Sequence, residues 1–262
     1  MDLGLTNRVA IVTGGNRGIG YAVSADLLAE GAHVAVASLD PARNAEAVAK
    51  LAGKTNGRVV GIPTDLNDPA AVEQLFKRTL AEFGRLDILV NNAAHISPGS
   101  FFGMDEAAWG HTFDHKLMGT VRCIRHAVPP MRERKWGRIV NLAGGAAWQP
   151  QLGAIATGLN NAAVLNLTVA LANELAKDGI LVNAVVPGST RTERHERTIR
   201  ETMAKTGQPE AEVLKPRVAK IPLGRMGTAE EVAAVVAFLS SERASFVTGS
   251  AWPVDGGSSS RL

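Results

Sequence analysis

Cysteine is nearly absent from this sequence. Cys123 is the only one in 262 residues, so no disulfide can close within the chain, and a reducing, cytoplasmic setting is expected. Tyrosine is as scarce, with Tyr21 alone. An excess of one charge is also lacking: Lys plus Arg number 28 against 25 for Asp plus Glu, a net +3. That is too weak and too scattered to imply nucleic acid as a partner. The densest basic run, Arg132–Arg138, sits among Pro130, Trp136 and Gly137. It reads as a solvated helix end, with a binding patch as the alternative. No apolar run reaches membrane-spanning length, and the first strand begins so near Met1 that no room is left for a signal peptide. No set of His and acidic residues has metal-ligand spacing, and there is no G-x-S-x-G elbow. Without a repeat, linker or low-complexity tract, residues 1–262 read as one domain.

What is present is a large apolar fraction, 45% of residues, enough for a sizeable core. The chain is organised around Val9–Gly20, VAIVTGGNRGIG. Val9-Ala10-Ile11-Val12 reads as a strand buried on both faces. Gly14, Gly18 and Gly20 follow, and then apolar residues at helical spacing, Ile19, Val23, Leu27 and Leu28. A strand, a glycine turn and a helix N-terminus make a site for a pyrophosphate, because the first helical N–H groups lack partners and glycine lets backbone approach phosphate.

The rest of the chain alternates strand and helix. Strands are expected at His33–Ala37, Arg58–Ile62, Asp87–Val90, Arg138–Asn141, Leu181–Val186 and Ser250–Val254. Helices are expected at Pro41–Leu51, from Asp68-Pro69 to Phe83, from Asp105 to Met131, at Gly153–Lys177 and at Thr228–Leu239. Seven strands in this pattern predict an α/β fold, a doubly wound parallel Rossmann-like sheet with ligands at the carboxyl ends of the strands. After the second strand an acid would bind a ribose 2′-OH and repel a 2′-phosphate. Here Ser38-Leu39 stands instead, and Arg17 lies in the glycine loop. A hydroxyl and a guanidinium suit a phosphate, so NADP(H) is favoured over NAD(H); the alternative is a solvated Arg17.

Thr13–Gly20 resembles the T-G-x-x-x-G-x-G loop of the short-chain dehydrogenase/reductase family. Asn91-Asn92-Ala93-Ala94 resembles its N-N-A-G, with Ala94 in place of glycine, and Pro187–Thr192 its P-G-x-x-x-T turn beside the nicotinamide. The likeness covers nearly the whole chain, including Asn183–Gly188 and Asp255–Gly257. It implies cofactor contacts from Gly14, Asn16, Arg17, Gly18, Ile19, Gly20, Ser38, Asp65, Leu66, Asn92, Ala93, Asn161, Pro187, Gly188, Thr190 and Thr192. The acid Asp65 would hold the adenine amino group or simply shape a turn. The polar stretch Glu193–Lys220 falls where the family keeps a substrate lid, and also reads as a surface excursion. The resemblance further implies a homotetramer, with a dimer as runner-up; Val164, Leu167, Leu171 and Leu175 lie at helical spacing on a helix apolar on more than one face.

In the family a Tyr, with a Lys four residues later, moves the proton of the substrate oxygen. A Ser holds that oxygen and an Asn completes the path. Here Thr157 falls at the Tyr position, Asn161 at the Lys position, Gly144 at the Ser position and Lys116 at the Asn position. All four differ. Tyr21 cannot stand in, since it lies in the first helix without a Lys four residues on. An aliphatic alcohol does not titrate near neutrality and an amide cannot depress a neighbour's pKa. Substitute proton donors are Lys116, if buried, and His95 at the cleft mouth. The bland alternatives are a snorkelling lysine and loop or surface histidines. His115 neighbours Lys116 and points elsewhere. Three functions are therefore expected in turn: an oxidoreductase on a carbonyl or alcohol with a non-standard proton donor, an inactive nucleotide-binding or scaffold protein, or a lyase or isomerase reusing the cleft.

Overall fold

The computed structural model describes residues 2–53, 57–94 and 99–259. Its centre is a seven-stranded sheet in the order β3-β2-β1-β4-β5-β6-β7, parallel throughout. The strands are β1 Val9–Thr13, β2 His33–Ser38, β3 Val59–Pro63, β4 Ile88–Asn91, β5 Gly137–Leu142, β6 Ile180–Pro187 and β7 Ala251–Val254. The order reverses direction between β1 and β4. That crevice, outside the carboxyl ends of the strands, is where an open sheet of this kind binds ligands.

Every residue of β1 is buried, which is why its sequence runs apolar without alternation. Its side chains still alternate between faces. Ala10 and Val12 pack with Val23 and Leu27 of α1 (Gly18–Ala29) and with Val232 and Val236 of α9 (Ala229–Leu239). Val9 and Ile11 pack in the opposite layer with Leu75 of α3 (Pro69–Phe83), Ile124 and Met131 of α5 (Gly119–Glu133), and Leu175 of α6 (Ile155–Leu175). Cap residues set the helix starts. Asp40 accepts from the N–H groups of Ala42 and Arg43 ahead of α2 (Pro41–Leu51), and Asp68 accepts from Ala70 ahead of α3. Each is followed by proline at the first helical position. α9 opens with a reciprocal Thr228–Glu231 capping box.

Three expectations need correction, and the polar stretch 193–220, to which the sequence assigned no secondary structure, is helical. The single helix expected over 105–131 is broken. α4 (Glu106–Phe113) passes through a π-helical turn, Asp114–Met118, into α5. The polar stretch 193–220 forms two helices, α7 (Glu193–Thr206) and α8 (Glu210–Val218). The Arg132–Arg138 run is not simply a solvated helix end: Arg138 is buried, and its guanidinium and that of Arg8 both lie over the ring of Trp136. Finally, one stretch, Ile155–Asp178, is apolar and long enough to cross a membrane by length and composition, with a mean hydropathy of 1.4. It lies on the sheet, where Val164, Thr168, Ala172 and Leu175 are buried. The α/β, doubly wound, single-domain Rossmann-like architecture itself is as the sequence predicts.

Candidate active site

The glycine turn between β1 and α1 is held by bonds that satisfy its own polar groups. The Thr13 hydroxyl donates to Val90 O and accepts from the N–H groups of Asn92 and Ala93. The Asn92 amide donates to the carbonyls of Thr13 and Gly14. Gly14 and Gly18 have φ of +63° and +52°, the left-handed region that favours glycine. At Gly20 a Cβ would come 2.2 Å from Gly14 O and 2.5 Å from Asn92 Nδ2, so no side chain fits. At the start of α1, Arg17 is extended and its side chain makes no capping bond. The first N–H groups of that helix therefore face outward, the arrangement that suits a pyrophosphate. The Ser38 hydroxyl, at the carboxyl end of β2, is buried without a hydrogen-bond partner. An orphaned hydroxyl at the end of β2, with an exposed Arg17 in the glycine turn, fits the phosphorylated ribose of NADP(H).

The site of Asp65 is less clear-cut. Its Oδ1 accepts from both the backbone and side-chain nitrogens of Asn67, so the turn-forming role is present whatever the other oxygen does. Thr192 caps α7 and lies against Gly18. Thr190 is buried and pairs with Gly227 through an isolated bridge.

Beyond β4, β5 and β6 the same crevice opens into a cleft of about 430 Å³. Lys116, Gly144, Thr157 and Asn161, separated in sequence, all line it, with Ala94, Pro187 and Gly188. Lys116 comes from the π turn between α4 and α5, Gly144 from the end of β5, and the other two from α6. The Lys116 ammonium donates to Asn161 Oδ1 at 2.5 Å. Lys116 is 8% exposed, and burial pulls its pKa down from the ordinary lysine value to about 8. No carboxylate among the described residues pairs with it. The snorkelling alternative is thereby excluded, because the charged end is the buried end. The other edge of the Asn161 amide explains the glycine at 144: a Cβ there would lie 2.9 Å from Asn161 Nδ2. The backbone of Gly144 is extended, so it is space and not conformation that constrains it.

Two buried polar atoms in the cleft wall lack partners. They are Thr157 Oγ1 and Asn160 Oδ1; the Asn160 amide donates to the carbonyls of Thr112 and Ala156. His195 of α7 and Arg217 of α8 complete the wall with Gln149, Gln151 and Asp255. Burial, then the neighbouring Arg217 and Arg194, push the His195 pKa below its usual value. These wall residues were missed in the sequence, where only the segments 193–220 and 255–257 were marked. No pattern pointed to Asn160, His195 or Arg217. His95 lies outside the described residues. His115 stacks on His111, away from the residues lining the cleft. Among the described residues no cluster could hold a metal ion.

Residues 14–259 match a family described as Enoyl-(Acyl carrier protein) reductase. The 3-oxoacyl-[acyl-carrier-protein] reductase FabG of Aquifex aeolicus is 32% identical over 257 residues, covering 98% of this chain and 99% of that protein. A cis-4-hydroxycyclohexanecarboxylate dehydrogenase of Sinomonas cyclohexanicum is 38% identical over 258 residues, 98% of each. Among solved structures, L-sorbose reductase from Gluconobacter frateurii, complexed with NADPH and L-sorbose, matches over 100% of both chains with a TM-score of 0.97 and 33% identity. The NADPH-dependent reductase YwfH, involved in bacilysin biosynthesis, matches with a TM-score of 0.89 and 28% identity over 97% of this chain and 99% of that one. Matched over nearly its whole length by this family model and by these oxidoreductases, the chain belongs to the short-chain dehydrogenase/reductase family.

Proposed function

We propose that this protein is an NADP(H)-dependent oxidoreductase acting on a carbonyl or alcohol, with Lys116 as its proton donor in place of the family's tyrosine. The observation that carries this reading is the Lys116–Asn161 pair: a buried ammonium at the cleft wall, held by a neutral amide at 2.5 Å. The same four positions carry Lys116, Gly144, Thr157 and Asn161, so the Asn, Ser, Tyr and Lys of the resembling relay are all replaced, and an ammonium remains on the opposite helix.

When bound, NADPH supplies the hydride. The protein's own residues then manage the substrate oxygen. The unpartnered Thr157 hydroxyl donates a hydrogen bond to it. Lys116 gives it a proton as negative charge develops, and takes one back in the direction of oxidation. A pKa of about 8 makes this ammonium a useful acid near neutrality, which an exposed lysine is not. Asn161 Oδ1 orients the amine throughout. Cofactor preference rests on Ser38 and Arg17 as argued above, with the glycine turn holding the pyrophosphate. Helices α7 and α8 cover the cleft as its lid. We assign the protein to the cytoplasm and to a homotetramer, or failing that a dimer; exposed Met118, Leu159 and Val169 leave apolar surface on the helices that would pair. Light scattering at micromolar concentration checks the assembly, and a monomer refutes it.

The test is NADPH oxidation against a panel of ketones and aldehydes. Reduction should fall as pH rises through about 8, and Lys116→Met should lower turnover at least about 100-fold while leaving NADPH affinity within about twofold. NADPH binding without turnover on any substrate would instead favour the inactive, nucleotide-binding reading. Turnover indifferent to Lys116→Met would defeat the proton-donor assignment, and return His95 to consideration.

A further inference from the structure

We infer that the cleft is built for an anionic substrate, a short carbonyl compound bearing a carboxylate, and that Arg217 recognises that carboxylate. This deepens the oxidoreductase reading of the same site and rests on it for the carbonyl half of the substrate.

The argument is one of charge balance. The titratable groups lining the cleft are Lys116, His195, Arg217 and Asp255. Asp255 is already committed: its Oδ1 accepts from the N–H of Gly257, and its Oδ2 accepts from the N–H and the hydroxyl of Ser259. These donors are neutral, so Asp255 keeps its negative charge, but it forms no ion pair with Lys116 or Arg217. Lys116 has only a neutral amide as partner. Arg217 forms no ion pair with any described residue, although it is near enough to His195 to disfavour that ring's protonation. Arg191, just before α7, shows the contrast, since Glu196 and Glu210 both hold it. Glu196 and Glu210 are thus spent on Arg191, while Arg217 lines the cavity.

Among the described residues the cleft sets a buried ammonium and an unpaired guanidinium against one carboxylate, a net positive charge that favours a ligand bringing negative charge. The two cations sit on different elements, Lys116 in the π turn and Arg217 on α8. A substrate that presents its carbonyl to Lys116 and Thr157 and its carboxylate to Arg217 uses both. The cofactor's pyrophosphate does not need Arg217, because the open N–H groups at the start of α1 serve it. Gln149, Gln151 and Asn160 give the intervening wall polar groups suited to a small hydrophilic chain. The planar guanidinium matches a carboxylate with two parallel hydrogen bonds, so lysine should replace it only in part.

The experiment is calorimetric titration of acetoacetate and levulinate, each against its neutral methyl ester, into the whole protein with and without NADPH. NADPH oxidation with the same compounds is followed in parallel. Each acid should bind at least tenfold more tightly than its ester. That ratio should collapse in Arg217→Ala and recover partly in Arg217→Lys, with NADPH affinity unchanged in both variants. Acid and ester binding alike, or neither binding, overturns the inference. So does Arg217→Ala loosening NADPH while sparing the acids, which would make Arg217 a cofactor ligand. Selective acid binding without NADPH oxidation keeps this inference and defeats the oxidoreductase reading. Equal turnover of acids and esters keeps that reading and defeats this one.

Discussion

The two ends of the sheet each bury a charge, and they treat it in opposite ways. At the amino end of β4, Asp87 is fully buried. Its carboxylate accepts from the backbone N–H of Val9, from Arg85 at 2.7 and 2.6 Å, and from Arg8 at 3.5 Å. Arg8 continues to Glu242 at 2.6 Å and lies over Trp136. At the carboxyl end, Lys116 is almost as buried, and among the described residues it has one neutral partner and no opposite charge. A buried charge that is paired from several sides is a structural joint, whereas one left uncompensated is a standing cost, tolerated where function needs it. The comparison separates the end of the molecule that holds the fold together from the end that meets the ligand.

Removing the paired charge should have the largest effect. Asp87→Ala leaves the Val9 N–H without its acceptor and two guanidiniums without theirs. It should cost about 3 kcal/mol of stability in urea unfolding. A loss below about 1 kcal/mol would break the comparison at its firmer end.

Removing the unpaired charge should act in the opposite direction. Lys116→Met should stabilise the fold by about 2 kcal/mol at pH 7. The pH dependence gives the sign independently. The folded pKa, about 8, lies below the unfolded value of 10.5, so between those values the unfolded chain holds more protons, and wild-type stability rises with pH. The advantage of Lys116→Met should therefore shrink between pH 8 and pH 10.5. An advantage constant across that window would mean that Lys116 is not an uncompensated charge.

A third charge sharpens the contrast from outside it. Arg17 is exposed and costs the fold nothing, so its value should appear only on binding. Arg17→Ala should leave urea unfolding unchanged. It should weaken NADPH by about 1.5 kcal/mol, roughly tenfold, and NADH hardly at all. Equal wild-type affinity for the two cofactors in fluorescence titration would refute the NADP(H) preference.

How much of this was legible depends on distance along the chain. The strand–glycine–helix unit at 9–29 is local, and Gly14, Gly18 and Gly20 announce it, because a positive φ and an excluded Cβ leave no other residue type. The central strands were legible because burial on both faces writes itself as short apolar runs, and even the half-buried edge strands β3 and β7 keep enough apolar residues to be read. The 105–131 segment misled because apolar periodicity does not distinguish an unbroken helix from one with a π turn. Arg138 misled because composition cannot foresee Trp136, Arg8 and Glu242 meeting around it.

By itself the sequence determined the order of elements, the glycine turn that opens α1 and the family to which the chain belongs. Only the tertiary structure decided that Lys116 and Asn161, 45 residues apart, meet at 2.5 Å. The same packing sets the Asn161 amide against Gly144 and, among the described residues, leaves the Thr157 hydroxyl and Arg217 without partners in one cleft. Local preferences choose helix or strand residue by residue. Whether a distant lysine is solvated or stripped of water depends on how whole layers pack around it, and that burial is what turns an ordinary ammonium into an acid.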